Sequence, residues 1–434
     1  MTSIEELYKI YLQYPSVQTD TRKLKEGDLF FALKGPNFNA NGFAQKAIDT
    51  GAAYAIIDEE QYSIEGKTFL VNDVLTALQQ LAKHRRQQFD TLPAGRQVPF
   101  LAITGSNGKT TTKELIHAVL SSAFKTYTTE GNLNNHIGVP LTILKIKNDA
   151  QFAVIEMGAN HLGEIASYCE IALPTHGLIT NCGKAHLEGF GSEEGVRKGK
   201  GELFDHLRSN KGTAFIMSDY PYLREMSNGI TNIYTYGTAG ADVIGNVEGQ
   251  NRFLNVSFAK GFKGNIQTNL VGDYNLPNVL AAVTVGKYFG VDEDRIRASI
   301  EAYSPTNSRS QFLQKGSNKI ILDAYNANPS SMKAAIENFA KTEGNNKILA
   351  LGAMAELGAD SLKEHISIIR EIDKYQWSDV VLVGGDFMKA GHTYRKFQTP
   401  TEAGEFFKKN KAENAFLLIK GSRSMEMEKL LDYL

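Results

Sequence analysis

The chain has 434 residues, enough for about three domains with well-filled cores. Its hydrophobic and charged fractions, 42% and 22%, are those of an ordinary globular protein. A formal net charge of −1, with no long block of one sign, excludes the electrostatic footprint of a nucleic-acid or membrane-surface binder.

Residues 1–88 read as a compact α/β unit. The N-terminal stretch is polar and amphipathic, without a signal-peptide core, and no apolar run has the length of a membrane span. Leu29 to Leu33 and Ala52 to Ile57 are strand-like, with a helix from Phe43 to about Thr50 between them. Arg22, beside Thr21 and Asp20, has a fork of donors suited to a diphosphate. Local sequence favours a surface ion pair for it instead. The Pro- and Gly-bearing stretch 90–99 reads as a linker.

Residues 98–304 form a central unit organised around Thr104-Gly-Ser-Asn-Gly-Lys-Thr-Thr111. An apolar strand runs into it from Phe100, and a helical pattern (Leu115, Ile116, Val119, Leu120) leaves it. Gly105 and Gly108 allow a tight turn, Lys109 supplies a cation and Thr110 a hydroxyl for magnesium. This is a cradle for a nucleotide polyphosphate, although Ile103 stands where the common phosphate loop has its first glycine. Glu156 ends a buried strand (Phe152 to Glu156), where open α/β sheets bind ligands. It is a candidate magnesium ligand, with a structural role in a loop as the alternative. His186 follows a third strand, Gly177 to Thr180; a lone histidine is more often a satisfied core or surface residue. Lys198 and Lys200 read by default as a solvated helix face. The two cysteines, Cys169 and Cys182, have neither metal nor disulfide spacing and point to a reducing cytoplasm.

From 305 to 434, short apolar strands at Ile320, Ile348, Val380 and Phe416 alternate with helical patterns. They predict a small, largely parallel, Rossmann-like sheet. Met332, Ala335, Ile336 and Phe339 fall on one helix face. Gly384-Gly385 lacks dinucleotide-loop spacing and carries no weight.

Several blocks together resemble the Mur ligases over essentially the whole chain. They are Ile103–Glu114, Gly131–Gly138, Glu156–Gly158, Thr180–Ser192, Gly199–Phe204, Asp273–Asn278, Leu322–Pro329 and Ile419–Met425. Within the family the Ala-Tyr-Asn-Ala-Asn-Pro run, residues 324–329, is similar to the branch that adds a D-alanyl dipeptide. The resemblance implies an α/β protein of three domains: a UDP-substrate domain, a P-loop-type ATPase sheet domain and a Rossmann-like ligase domain. It implies a cytoplasmic, ATP- and Mg2+-dependent ligase, expected to be a monomer, that joins D-Ala-D-Ala to UDP-MurNAc-tripeptide through an acyl phosphate.

Carried over residue by residue, the resemblance assigns Gly105, Ser106, Asn107, Gly108, Lys109, Thr110 and Thr111 to ATP. Thr110 takes one magnesium, while Glu156 and His186 take a second. Lys200 is expected as a carbamate formed with CO2, near the metals. Asn275 and Asn278 would line the adenine pocket, Arg309 would reach the phosphates and Asp323 the ribose. Asn134 and Asn135 belong to the substrate side, and Tyr325, Asn326 and Asn328 would face D-Ala-D-Ala. Thr21, Arg22 and the loop after Lys34 would hold the UDP end.

Three departures stand out. Asn39-Ala-Asn41 replaces a common Asp-Gly-His, and Tyr274 replaces a histidine. Ser308-Arg-Ser310 replaces Gly-Arg-Gly and would be less free at positive φ. The competing readings are a related amino-acid or polyglutamate ligase, against which residues 325–329 argue, and a nucleotide-hydrolysing switch. The sites fall on three units, so closure of the third over the second is expected to be part of the mechanism.

Overall fold

The computed structural model describes residues 1–91, 97–249, 252–306, 308–410 and 412–434. Part of the expected linker, residues 92–96, lies outside the described residues.

The first sheet has the order β1-β2-β5-β6, from β1 (Val17–Gln18), β2 (Leu29–Phe31), β5 (Tyr54–Ile57) and β6 (Thr68–Leu70). A two-stranded ribbon, β3 (Lys34–Gly35) with β4 (Phe38–Asn39), stands beside it. Alternation along β2 sends its residues to two different cores. Phe30 packs with Ala44, Ala47 and Ala55, whereas Leu29 and Phe31 join a large cluster shared with the central sheet.

That shared cluster also takes in Leu7 and Tyr11 of the helix Ile4–Gln13, and Leu78 and Leu81 of the helix Val74–Gln87. Buried Arg86 of the latter donates to the carbonyls of Ala172 and Leu173 at 2.8 and 2.9 Å, satisfying the end of the helix Glu164–Ala172. The first two sheets are therefore joined by continuous apolar packing.

The central sheet has nine strands: β7 (Phe100–Thr104), β8 (Thr126–Thr128), β9 (Phe152–Glu156), β10 (His176–Ile179), β11 (Thr213–Met217), β12 (Asn232–Gly237), β13 (Val243–Val247), β14 (Phe253–Lys260) and β15 (Asn265–Val271). Their order is β15-β14-β13-β12-β11-β10-β7-β9-β8, parallel from β8 through β13 and antiparallel beyond. The chain moves from β7 to one side for β8 and β9, then to the other for β10. The C-terminal ends of β7, β9 and β10 thus flank a topological switch point, where this class of sheet binds ligands.

The third sheet is β16 (Gln311–Lys315), β17 (Asn318–Asp323), β21 (Phe416–Lys420), β18 (Lys347–Gly352), β19 (Asp379–Val383) and β20 (Arg395–Phe397), in that spatial order. It is parallel except for the edge strand β16. Separate apolar clusters cover its two faces, as a sheet wrapped by helices requires. Among the described residues no helix is long and apolar enough to cross a membrane.

Candidate active site

The register of the central sheet sets Ile103 opposite Glu156 and Thr104 opposite Ile179. The glycine turn, the acidic strand end and the loop before His186 therefore leave one edge together. Gly105 and Gly108 both adopt positive φ (140° and 81°). A Cβ on Gly105 would lie 2.0 Å from Thr180 Oγ1, and one on Gly108 would lie 2.6 Å from Asn278 Oδ1. Backbone conformation and space both require glycine there.

The turn is braced by the next loop. Ser106 and Asn107 donate their N–H groups to the backbone oxygen and side-chain oxygen of Asn181, at 2.8 and 3.1 Å. These two amides are thus spent within the protein. The donors that helix geometry leaves open are in the first turn of the helix Lys109–Ser121, which includes Thr110 and Thr111. Lys109 Nζ folds back onto the Gly105 carbonyl at 2.7 Å, and burial pushes its pKa down. A polyphosphate would give that ammonium a stronger acceptor than a carbonyl.

Glu156 is 1% exposed. Its Oε1 accepts from Asn134 Nδ2 at 2.8 Å and from Thr110 Oγ1 at 3.3 Å, while Oε2 is buried without a hydrogen-bond partner. An orphaned anionic oxygen beside a hydroxyl is a donor set suited to a hard divalent cation. Among the described residues no group of three His, Cys, Asp or Glu side chains is arranged to hold a metal. A magnesium ion held partly by nucleotide phosphates does not need one. Asn135 does not join Asn134 here; its side chain accepts from Gly138 N at 2.9 Å and opens the helix Gly138–Leu144.

His186 sits at φ 52°, and its Nδ1 closely approaches a carboxylate oxygen of Glu356, a residue of the third unit. The contact with His186 holds the Glu356 carboxyl below the usual carboxylate range. No contact joins His186 to Glu156 among the described residues.

Lys200 overturns the solvated-face reading, whereas Lys198 is exposed as expected. Lys200 lies on the helix Glu193–Ser209, is 1% exposed, donates to the Ala159 carbonyl at 2.7 Å and stands 4.9 Å over the Phe190 ring. Burial, reinforced by the charge of Lys109, lowers its pKa to about 7.

Asn275 and Asn278, expected at the adenine, are internal. Asn275 donates to the Val271 carbonyl at 2.9 Å and accepts from Asn278, whose other end accepts from Thr112 Oγ1. Tyr274 hydrogen-bonds Ser310 at 2.9 Å, tying this block to the Arg309 loop. Both Ser308 and Ser310 do take positive φ, 55° and 47°, in the places of the absent glycines.

On the third sheet, Asp323 is already engaged by Lys420 Nζ at 2.5 Å and by Ser310 N at 3.2 Å. Arg309 lies 3.5 Å over the Tyr325 ring, with Arg423 5.7 Å from the same ring. Asn326 accepts from the adjacent Ala327 N, and Lys420 Nζ lies 3.4 Å from the Asn326 carbonyl. Asn328 caps the helix Pro329–Lys341 through Ser331 N and donates to Asn107 Oδ1 at 2.8 Å. It bridges the phosphate loop and the third sheet rather than presenting a free amide. In the first unit, Asp20 caps the turn Thr21–Lys23 and pairs with Arg22 at 2.8 Å, with Arg22 85% exposed. The surface-pair reading describes that arrangement.

Residues 103–286 match the Mur ligase middle domain, and residues 308–423 match the domain described as Mur ligase, glutamate ligase domain. The chain is 34% identical over 437 residues to UDP-N-acetylmuramoyl-tripeptide–D-alanyl-D-alanine ligase of Bacillus subtilis, covering 96% of this chain and 92% of that one. It is 36% identical over 450 residues to the Escherichia coli protein of the same name, covering 98% and 95%.

The chain belongs to the Mur ligase family.

Solved structures agree with that placement. MurF from Acinetobacter baumannii superposes with a TM-score of 0.85 at 32% identity, covering 96% of this chain and 92% of that one. MurF ligase from Thermotoga maritima, in complex with ADP, gives 0.84 at 26%, covering 97% of both. In this Mur ligase the sequence reading missed Glu356, Lys420 and Lys184. Lys184 Nζ meets the buried carboxylate of Glu364 at 2.9 Å, another link to the third unit. All three gain partners only across units or strands far apart in sequence, which local pattern does not register.

Proposed function

We propose that this Mur ligase joins D-alanyl-D-alanine to UDP-N-acetylmuramoyl-tripeptide with ATP, a step of peptidoglycan precursor synthesis. A carboxylate resists attack by an amine because it must first lose its charge. Transfer of the γ-phosphoryl group makes it an acyl phosphate, which the amine attacks as phosphate leaves. The helix Lys109–Ser121 and Lys109 bind and orient the polyphosphate, and Arg309 adds a second cation from the third unit. Thr110 and Glu156 would hold magnesium, with His186 nearby; the metal supplies charge neutralisation at the transferring group. The observation that carries this reading is the buried, unpartnered Glu156 Oε2 next to the phosphate turn.

Lys200 is proposed to carry a carbamate. A pKa near 7 leaves much of the amine neutral at physiological pH, so it can attack CO2, releasing one proton. The resulting anion would face Lys109, replacing a cation–cation conflict with an attraction. Division of labour among 1–88, 98–304 and 305–434 as UDP, ATP and ligase domains is supported by their separate sheets. Thr21, Arg22 and the ribbon bearing exposed Phe38 are the proposed UDP side, and Tyr325 and Asn326 the dipeptide side. The buried free thiols Cys169 and Cys182 fit a reducing cytoplasm. A monomer is the proposed working state.

The test is ADP release. It should require both UDP-MurNAc-tripeptide and D-Ala-D-Ala, and L-glutamate should not replace the dipeptide. Release that is indifferent to the UDP-linked acid would favour a nucleotide-hydrolysing switch.

A further inference from the structure

The incoming dipeptide poses an electrostatic problem. Its α-amino group arrives largely as an ammonium at neutral pH, yet the phosphoryl site is lined by Lys109 and Arg309. A carboxylate on the unit that receives the dipeptide would give that ammonium a specific partner.

Carboxylates of the third unit near the central one include Asp323, Glu364 and Glu356. Asp323 is held by Lys420, and Glu364 is buried against Lys184. Glu356 differs from both. Its side chain is 49% exposed, so a ligand can reach it, and it stands at the central unit's site. It touches His186, and it lies close enough to Lys109 for each to influence the other's charge.

The loop that carries Glu356 is firmly held. Ala353 N donates to the Val383 carbonyl at 2.9 Å, Met354 N donates to His365 Nε2 at 3.1 Å, and Glu188 N donates to the Glu356 carbonyl at 3.4 Å. Glu356 itself adopts φ 61°, a left-handed conformation unusual for glutamate and one that a surrounding structure must enforce. Its carboxylate thus meets His186 of the central unit from a fixed backbone.

Resting on the ligase reading above, we propose that Glu356 binds the ammonium group of the incoming dipeptide and sets it beside the activated carboxyl. Polyphosphate binding draws Lys109 away electrostatically and leaves Glu356 short of positive charge. The ammonium makes up that deficit. The dipeptide therefore gains binding from its ammonium that an analogue without the amino group does not.

The test compares two ligands on the full-length enzyme: D-Ala-D-Ala, read by its KM, and N-propionyl-D-alanine, the same skeleton without the amino group, read by competitive inhibition. The wild type should favour the ligand that carries the ammonium. Glu356→Gln should raise the KM for D-Ala-D-Ala by about 10- to 100-fold while leaving inhibition by the desamino analogue nearly unchanged, so that the preference collapses. Glu356→Asp should restore part of it. An unchanged preference in Glu356→Gln, or equal weakening of both ligands, overturns the assignment. No product from the wild type with D-Ala-D-Ala would instead overturn the ligase reading, and this inference with it.

Discussion

Asn328 Nδ2 donates to Asn107 Oδ1 at 2.8 Å, so the first residue before a helix of the third unit touches the tip of the phosphate turn. The same interface holds Lys184 with Glu364, Lys184 N on Ser330 Oγ at 3.1 Å, and Tyr274 with Ser310. Beside these polar links, Val271 and Phe253 of the central sheet pack with Ile321 and Phe312 of the third unit, while the first two units share a larger apolar core.

Asn328 has two separable jobs. Asn328→Asp keeps a capping oxygen but loses the donor to Asn107. Its stability should stay near wild type, while kcat/KM falls by about 10-fold, the worth of one buried hydrogen bond. Asn328→Ala should also lower stability by about 1 kcal/mol through loss of the cap. Denaturant melts with steady-state kinetics separate the two effects.

Lys200 should make activity depend on CO2. Activity should drop in CO2-depleted buffer and return with bicarbonate, and Lys200→Ala should lose about 100-fold or more. Stability gives an independent readout on unmodified protein. The unfolded lysine holds its proton up to pH 10.5, whereas the folded one releases it near 7. Folding stability therefore rises with pH between 7 and 10.5, and the full cost of the buried cation is felt below 7. Lys200→Met should be more stable than the unmodified enzyme by about 2 kcal/mol at pH 6, net of the acceptor left at Ala159. That advantage should fade toward pH 10. A constant gap would contradict the buried-cation account.

His365 is fully buried and fixed as one tautomer, with Nδ1 against the Ser361 carbonyl and Nε2 accepting from Met354 N. Burial lowers its pKa below the ordinary 6.5. The folded state then binds fewer protons than the unfolded state, so this contribution is complete above pH 6.5 and is lost as pH falls below it. His365→Ala should cost about 2–4 kcal/mol at pH 8 from the cavity and the orphaned amide, and a smaller amount at pH 5. Thermal melts across pH 5–8 check the sign.

Ser308 at φ 55° holds a conformation that costs L residues roughly 1–2 kcal/mol. Ser308→Gly relieves it, offset by glycine's extra unfolded-state freedom of about 0.5–1 kcal/mol. A net gain of up to about 1 kcal/mol in the urea midpoint is expected; destabilisation would contradict the strain.

The legible parts of this molecule were local. An apolar run ending in a glycine turn and a helix announces β7 and its phosphate cradle, because all three signals lie within about twenty residues. The buried ends of β9 and β17 were equally plain. β15 was not read, since Asn265 to Val271 buries Ile266, Thr268 and Leu270, and the threonine breaks the apolar alternation. The burial of Arg86 and Lys200 was hidden for a deeper reason. Charged side chains signal solvent in one dimension, and only packing between distant segments turns them inward. The asparagines were recognised as important, yet Asn275 and Asn278 serve one another and the phosphate turn's neighbours. Which partner an amide takes is set by three-dimensional neighbours that no spacing records.

The central claim is that ATP activates a carboxyl group by taking one of its oxygens. The direct measurement labels the tripeptide carboxyl with 18O, runs the reaction with D-Ala-D-Ala, and analyses the released inorganic phosphate by mass spectrometry. The account predicts one 18O in the phosphate for each amide bond formed from fully labelled acid. Phosphate free of label, with amide still produced, would contradict it.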